Sequence, residues 1–231
     1  MFTRLLSTPA DELEVSRLDL DSSPITRLRL GLSAGIRLAL DPTDTQQVFY
    51  LARAVDHGGL SRLREALLDH PGGAQLLADR PAIDRRAVDF TALLGLPPDT
   101  LGGAYARMLE AQGLDPDIFQ RPPGLPDDLA FVAQRVRQTH DLWHVVTGLD
   151  TSVPSEIALQ AFSYAQLEQN VSRLLAVFGV LLFRKRHPQA PALARRWYAR
   201  GKRASFLLAV RWEELWGEPL GAVRARVGLP A

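Results

Sequence analysis

The sequence predicts an all-α fold, and three observations carry that prediction. Apolar residues recur at helical spacing through most of the chain. No segment shows the sustained apolar/polar alternation of a half-buried strand. Clusters of Gly and Pro punctuate the periodic segments where helices would stop. At 231 residues the chain fits one compact helical domain spanning 1–231, with residues 1–27 read as a loosely ordered segment ahead of it. Some seven helices are expected around a common core, with no internal repeat.

The elements follow in order. Residues 44–55 place Val48, Leu51, Ala52 and Val55 on one stripe, and Asp44 suits the N-cap. Residues 58–81 read as a helix, a Pro-Gly-Gly break and a short helix. Residues 99–113 form another, with Leu101, Tyr105, Met108 and Leu109 inward and Gly113 as its stop. The breaker-rich loop 121–128 ends at Asp127 or Asp128, either of which suits an N-cap. A helix then runs from about Leu129 to Thr147, where Gly148 stops it. The next starts near Pro154, a residue favoured at the first helical position, with Ser152 or Val153 before it, and it runs to the apolar stretch 171–183. After a basic segment, a last helix is expected from about Pro191 to Trp216.

Composition limits the chemistry. The chain is 46% hydrophobic and 23% charged, so it can bury a sizeable core. A net charge of +1 creates no global field for nucleic acid, and no recognised nucleic-acid module is present, so none is expected as a partner. There is no cysteine, which leaves only nitrogen and oxygen ligands for any metal. Lysine occurs only at Lys185 and Lys202, a bias towards arginine that points to a bacterial genome. The N-terminus has no long apolar run and turns acidic early, unlike a signal or transit peptide, and no stretch reaches 18 apolar residues. The expected setting is the bacterial cytoplasm, peripheral to the inner face of the cell membrane.

One constellation carries chemistry. His140 and His144 are four residues apart and share a helix face, the spacing with which two imidazoles grip one ion. Asp141, three residues before His144, is placed either to reach the same ion or to orient a ligand. Glu156 falls in the first turn of the next helix, across a short connection, where it would face the histidine pair. The bland alternative is that two histidines soften the negative end of a helix dipole and Glu156 is an ordinary first-turn acid. Against it, these donors suit a divalent ion and interrupt apolar surroundings: Val132 and Val136 precede His140 on its stripe, and Trp143, Val145, Val146 and Ile157 flank the others. An aspartate where zinc peptidases carry a glutamate is too short to activate water beyond the ion, which argues against a peptidase.

Other features weigh less. The apolar residues 174–183 are too few to span a bilayer; they read as a core helix, with one wall of an isoprenoid groove as the alternative. Residues 184–203 hold many cations and no acid, which suits a solvated face or an anionic membrane surface. Residues 28–40 lean towards core over interfacial contact. His57 precedes two glycines at a helix end, and His70 and His187 each precede Pro. Packing explains Trp197, Trp212 and Trp216 as well as a ligand does.

The pattern H-D-x-x-H, eleven residues, then E, followed by "IALQAF", resembles the Coq-four family of ubiquinone (coenzyme Q) biosynthesis proteins. The likeness extends through residues 80–117, with "LPPDTLGGAY", and 197–229, with Trp197, Gly201, Glu213, Trp216, Glu218, Pro219 and Leu220 in order, and so covers the chain from about Leu30. Ser155 stands where eukaryotic members usually carry Gly, and Ser163 where they usually carry a second acid. The resemblance implies an all-α, metal-dependent protein with His140, Asp141, His144 and Glu156 as metal ligands, acting catalytically through the metal. Zinc is the expected ion and iron the alternative, since two histidines and a carboxylate also form the facial triad of non-haem iron enzymes.

The implied activity is loss of the carbon 1 carboxylate, oxidative or not, from a 4-hydroxy-3-methoxy-5-polyprenylbenzoate-type precursor, a lyase reaction. Implied partners are a prenylated aromatic or isoprenoid lipid, other ubiquinone biosynthesis proteins and a membrane surface; a homodimer is compatible with the pattern. The second reading is a non-catalytic lipid-binding scaffold that organises the biosynthetic complex. A third, a phosphohydrolase, needs an upstream histidine and a distant aspartate that His57 supplies poorly. The residues lining the lipid site are not assigned by the sequence.

Overall fold

A computed structural model describes residues 31, 51, 52, 54–56, 58–118, 121 and 125–230. Most of the helix expected over 44–55, the segment 1–27, all of 28–40 but residue 31, part of the 121–128 loop, and His57 lie outside the described residues. Among those described, nine α-helices and three 3-10 turns form the molecule, and the sole bridge between extended residues joins Thr100 to Pro219. The all-α expectation holds.

Helices α1 (Gly59–Asp69) and α2 (Gly73–Asp79) flank the Pro-Gly-Gly break, as the punctuation requires. The short α3 (Phe90–Leu94) is capped by Asp89, whose side chain accepts from the Ala92 amide. Helix α4 (Leu101–Gln112) is capped by Thr100, which accepts from the Gly103 amide, and it buries Leu101, Tyr105 and Leu109 before stopping at Gly113. Helix α5 (Asp127–Thr147) starts with Pro126 in the capping position. Asp127 and Asp128 therefore sit inside the first turn, where their charge meets the positive dipole end instead of capping it.

Two expected helices are broken. The segment from Pro154 to 183 divides at Glu168, a left-handed residue with φ 53°, into α6 (Val153–Leu167) and α7 (Asn170–Phe183). The cause is tertiary: Asp56 accepts hydrogen bonds from the amides of Asn170 (2.5 Å) and Val171 (2.9 Å), and so caps α7 from a distant part of the chain. The last expected helix ends early as α8 (Ala190–Gly201). Beyond it the Ser205 amide turns to the Val227 carbonyl and the Leu207 amide to the Gln166 side chain, bonds that a continuous helix would forbid. Two 3-10 turns (Leu207–Ala209 and Trp212–Glu214) bury Leu207, Leu208 and Trp212, and α9 (Leu220–Arg226) closes the chain.

Helix α6 packs along α8 and α7, and α5 packs against α1 and α4. The main core joins Leu67, Leu101, Phe131, Leu142, Trp143, Phe162, Trp197 and Trp212, so the tryptophans serve packing. Buried Arg135 of α5 crosses this core and pairs with Glu213, while also donating to the carbonyls of Val210 (2.5 Å) and Leu208 (3.4 Å). The C-terminal segment is stitched to the start of α4 by bonds from the Leu101 amide to Glu218 O, the Gly102 amide to Trp216 O and the Leu220 amide to Asp99 O. A Cβ at Gly102 would lie 2.9 Å from the Trp216 carbonyl, so this approach requires glycine.

The apolar stretch 174–183 departs from the core-helix expectation. Ala176 is buried, and Val180 and Phe183 pack on a small cluster with Ile157, Ala161, Ala190 and Ala194. Val177, Phe178, Leu181 and Leu182, however, are each at least half exposed, Leu182 at 65%. Hydropathy alone cannot tell a helix apolar all round from a buried one, because burial depends on what packs on each face.

Candidate metal centre

The site is built on the last two turns of α5, the loop 148–152 and the first turn of α6. One helical turn puts the His140 and His144 rings 5.1 Å apart in an edge-to-face arrangement. Gly148 ends α5 in the left-handed region, φ 71°. That reversal brings the Leu149 carbonyl back over the helix, where it accepts a hydrogen bond from His144 Nδ1 at 2.9 Å. A carbonyl can only accept, so Nδ1 carries a proton, and in the neutral ring Nε2 is the nitrogen with the lone pair.

Asp150 then launches the next helix. Its Oδ1 accepts from the Ser152 amide (3.1 Å) and hydroxyl (2.5 Å), a local turn that delivers Ser152 to the capping position of α6. The Ser152 and Ser155 hydroxyls, then the Ser152 amide and the nearby His144, hold the Asp150 carboxyl below its ordinary value. Ser155 thus supports the loop directly ahead of Glu156. Pro154 sits in the first turn of α6, as expected.

Glu156 faces the histidines as the sequence predicts: its Oε1 lies 3.1 Å from His144 Nε2. One ligand atom each from His140, His144 and Glu156 can be chosen so that all lie within 4.8 Å of one another. Asp141 is not in this group of three; its Oδ1 lies 3.4 Å from His140 Nδ1, where it can orient that ring. The His144 side chain is 3% exposed, while those of His140 and Glu156 are 33% and 39% exposed. The buried histidine anchors the site and the other two line its open side.

Electrostatics agree with the geometry. Burial pulls the His144 pKa down, but the hydrogen bond and charge of Glu156, the Leu149 carbonyl and the Asp141 charge outweigh it, and the net shift is upward. The position therefore favours positive charge, which a proton or a divalent ion can supply. The donors, two imidazoles and a carboxylate with one imidazole locked in the metal-binding tautomer, fit zinc or non-haem iron.

Three contributors escaped the sequence reading. Arg224 of α9 donates to the carbonyls of Val146 (3.0 Å) and Val145 (3.2 Å) and so satisfies the end of the histidine-bearing helix. Thr147 Oγ1 donates to the Trp143 carbonyl (2.5 Å). Buried Tyr105 stacks on Trp216 at 5.8 Å, and its hydroxyl pKa is pushed well up by burial and by the nearby Asp141 charge. Arginine near a helix end is a weak signal in a sequence this rich in it; nothing local pointed to Thr147, and periodicity placed Tyr105 inward without linking it to Asp141.

Comparison with known proteins bears on this site. The sequence profile of the family described as "Coenzyme Q (ubiquinone) biosynthesis protein Coq4" matches residues 18–231. The chain is 31% identical to the mitochondrial ubiquinone biosynthesis protein COQ4 of Arthroderma otae over 210 residues, covering 90% of this chain and 79% of that one. It is 30% identical to the Rattus norvegicus homologue over 212 residues, with 90% and 80% covered. A crystal structure from Nostoc punctiforme PCC 73102, described in connection with ubiquinone biosynthesis, superposes with a TM-score of 0.69 at 31% identity, covering 88% of this chain and 98% of that one.

Proposed function

The chain belongs to the Coq4 family of coenzyme Q (ubiquinone) biosynthesis proteins, and from that premise we propose that it removes the carbon 1 carboxylate from a polyprenylated hydroxybenzoate precursor at a divalent metal held by His140, His144 and Glu156. The observation that supports this reading is the imidazole–imidazole–carboxylate group within 4.8 Å, reached from one open side.

A bound zinc or iron would supply Lewis acidity, stabilising negative charge on the substrate's carboxylate or phenolate. The chain's own residues prepare for it. Leu149 O holds the proton on His144 Nδ1 and aims Nε2 into the site. Asp141 is positioned to do the same for His140 through Nδ1, or to join the ligands when the ion is present. Glu156 adds the negative charge that offsets the cation. In the reaction the bond from ring carbon 1 to the carboxyl carbon breaks, its electron pair stays on the ring, carbon dioxide leaves, and one proton takes its place. The half-open side lined by His140 and Glu156 is the route by which water delivers that proton.

The test pairs metal analysis of the purified chain with incubation of the zinc-loaded and iron-loaded forms with a short-tailed prenyl hydroxybenzoate. Carbon dioxide release that disappears with His140→Ala supports the reading. A fully loaded protein that releases none refutes it and favours a scaffold that presents the lipid to other enzymes.

A further inference from the structure

A cavity of about 410 Å³ opens between the loop ahead of α3 and the segment that follows α8, and none of its lining residues belongs to the metal centre. That volume falls in the range of roughly 300–1,000 Å³ typical of small-molecule sites. Buried Val88 and Leu93 give it an apolar floor, and exposed Ala87 and Ala92 form part of the rim. Trp216 supplies an aromatic wall that is fixed before any ligand arrives. Tyr105 stacks on its indole with centroids 5.8 Å and planes 4° apart, and the Gly102 amide holds its carbonyl at 2.8 Å. Tyr105 takes one face of the indole and leaves the rest of the half-buried ring to line the cavity. A wall already in place lowers the ordering cost of binding.

The charge of the lining selects the ligand. Its ionisable side chains are both acids, Glu213 and Asp89, and no basic side chain lines it among the described residues. Glu213 is offset from behind by Arg135, which donates to both of its oxygens. A carboxylate has about four lone-pair sites, so Glu213 can still accept from a donor in the cavity. Asp89 Oδ1 accepts from the Ala92 amide at 3.0 Å, and no ion pair offsets the Asp89 charge among the described residues. The lining is therefore net negative. Arg85 and Arg86 line a neighbouring depression instead, where Arg85 is engaged by Asp115 and Asp117, each at 3.7 Å. A benzoate-like anion would meet the Asp89 charge with no cation to receive it. A cation gains from Asp89 and from the indole, and its apolar body gains from Val88 and Leu93.

We propose that this cavity binds a small organic cation, an alkylammonium or guanidinium group carried on an apolar body. The site is separate from the metal centre, and its test needs no turnover.

The test is a ligand-observed NMR titration of the full chain with three probes of one shape: benzylammonium, benzyl alcohol and benzoate. Benzylammonium is expected to bind roughly 10-fold more tightly than benzyl alcohol, as a cation–π contact together with an unpaired carboxylate would supply. Benzoate should bind more weakly than either. Asp89→Asn keeps the helix cap, because Asn caps as well as Asp, and is expected to erase most of the preference for the cation. Ala92→Trp fills the cavity from its rim and is expected to abolish binding of all three. Both substitutions are at exposed positions, and each tests the site alone if the other misfolds by circular dichroism. Three probes that bind alike overturn the inference, as does a wild type that binds none of them at millimolar concentration. So does benzylammonium that binds either variant as it binds the wild type. Binding of an arginine-containing pentapeptide but of no free probe would also overturn it, in favour of a side chain presented by a partner protein.

Discussion

His144 Nε2 and Glu156 Oε1 lie 3.1 Å apart, although the residues sit on different helices and only the loop 148–152 joins those helices. Opposite this contact, His144 Nδ1 is bonded to Leu149 O. The imidazole is thus gripped on both edges, by the loop on one side and by the first turn of α6 on the other, which makes the ring the pivot of the site.

Metal binding should stabilise the fold in a way that depends on His140. Adding zinc or iron to chelator-stripped protein is expected to raise the unfolding free energy by about 2.7 kcal/mol at 100 times Kd, by linkage. His140→Ala, at a ring one third exposed, should abolish this gain while leaving the stability of the stripped protein nearly unchanged. Urea melts with and without metal measure both, and an undiminished gain in the variant would remove His140 from the ligand set.

His144→Ala should differ from it in one respect. It also loses the metal, but it leaves the Leu149 carbonyl without its donor in a buried place. The stripped variant is therefore expected to be less stable by roughly 1–3 kcal/mol. Equal stability of the two stripped variants would show that the Leu149 bond contributes nothing.

The metal-free chain should lose stability as pH rises past neutrality. The pKa of His144 lies above its ordinary 6.5, because Glu156 and the Leu149 carbonyl outweigh burial. A folded-state pKa above the unfolded one stabilises fully below the unfolded value, and that stabilisation is lost as pH rises through the folded value. The urea midpoint of stripped protein should fall as pH rises above the ordinary histidine value of 6.5, and Glu156→Gln should flatten the decline. Parallel profiles for the two proteins would refute the assignment.

Arg224→Ala should weaken the metal centre without touching it. It strips the donors from the Val145 and Val146 carbonyls at the end of α5, at a cost of about 1–2 kcal/mol. The frayed last turn carries His144, so metal affinity should fall with stability, as competition with a chromophoric chelator would show. Unchanged affinity in a destabilised variant would mean that the His144 position is set by Leu149 alone.

Arg135 and Glu213 should behave as a buried pair. Glu213→Leu leaves the 1% exposed Arg135 side chain without its counter-charge, and is expected to cost about 3–5 kcal/mol. Arg135→Met/Glu213→Leu should recover much of the loss, because burying two apolar groups removes the desolvation penalty. A double variant as unstable as the single one would show that the bonds from Arg135 to Val210 O and Leu208 O matter more than the charge.

Local periodicity by itself determined much of this protein. Helix type, most boundaries, the stops at Gly113 and Gly148 and the start of α6 at Ser152–Pro154 are set by interactions within a turn or two, and the sequence displays those directly. The histidine pair was legible for the same reason, and Glu156 because a short loop leaves two helices few ways to meet. What local pattern could not contain, only the tertiary structure decided. The break at Glu168 depends on Asp56, 114 residues from Asn170. The Arg135–Glu213 pair spans 78 residues. Leu149 joins the site through a backbone oxygen, which no residue identity announces. The outward face of α7 is as apolar as its inward face, and only the positions of α6 and α8 determine which of the two is covered. Burial is a property of neighbours in space, whereas periodicity reports only neighbours in the chain.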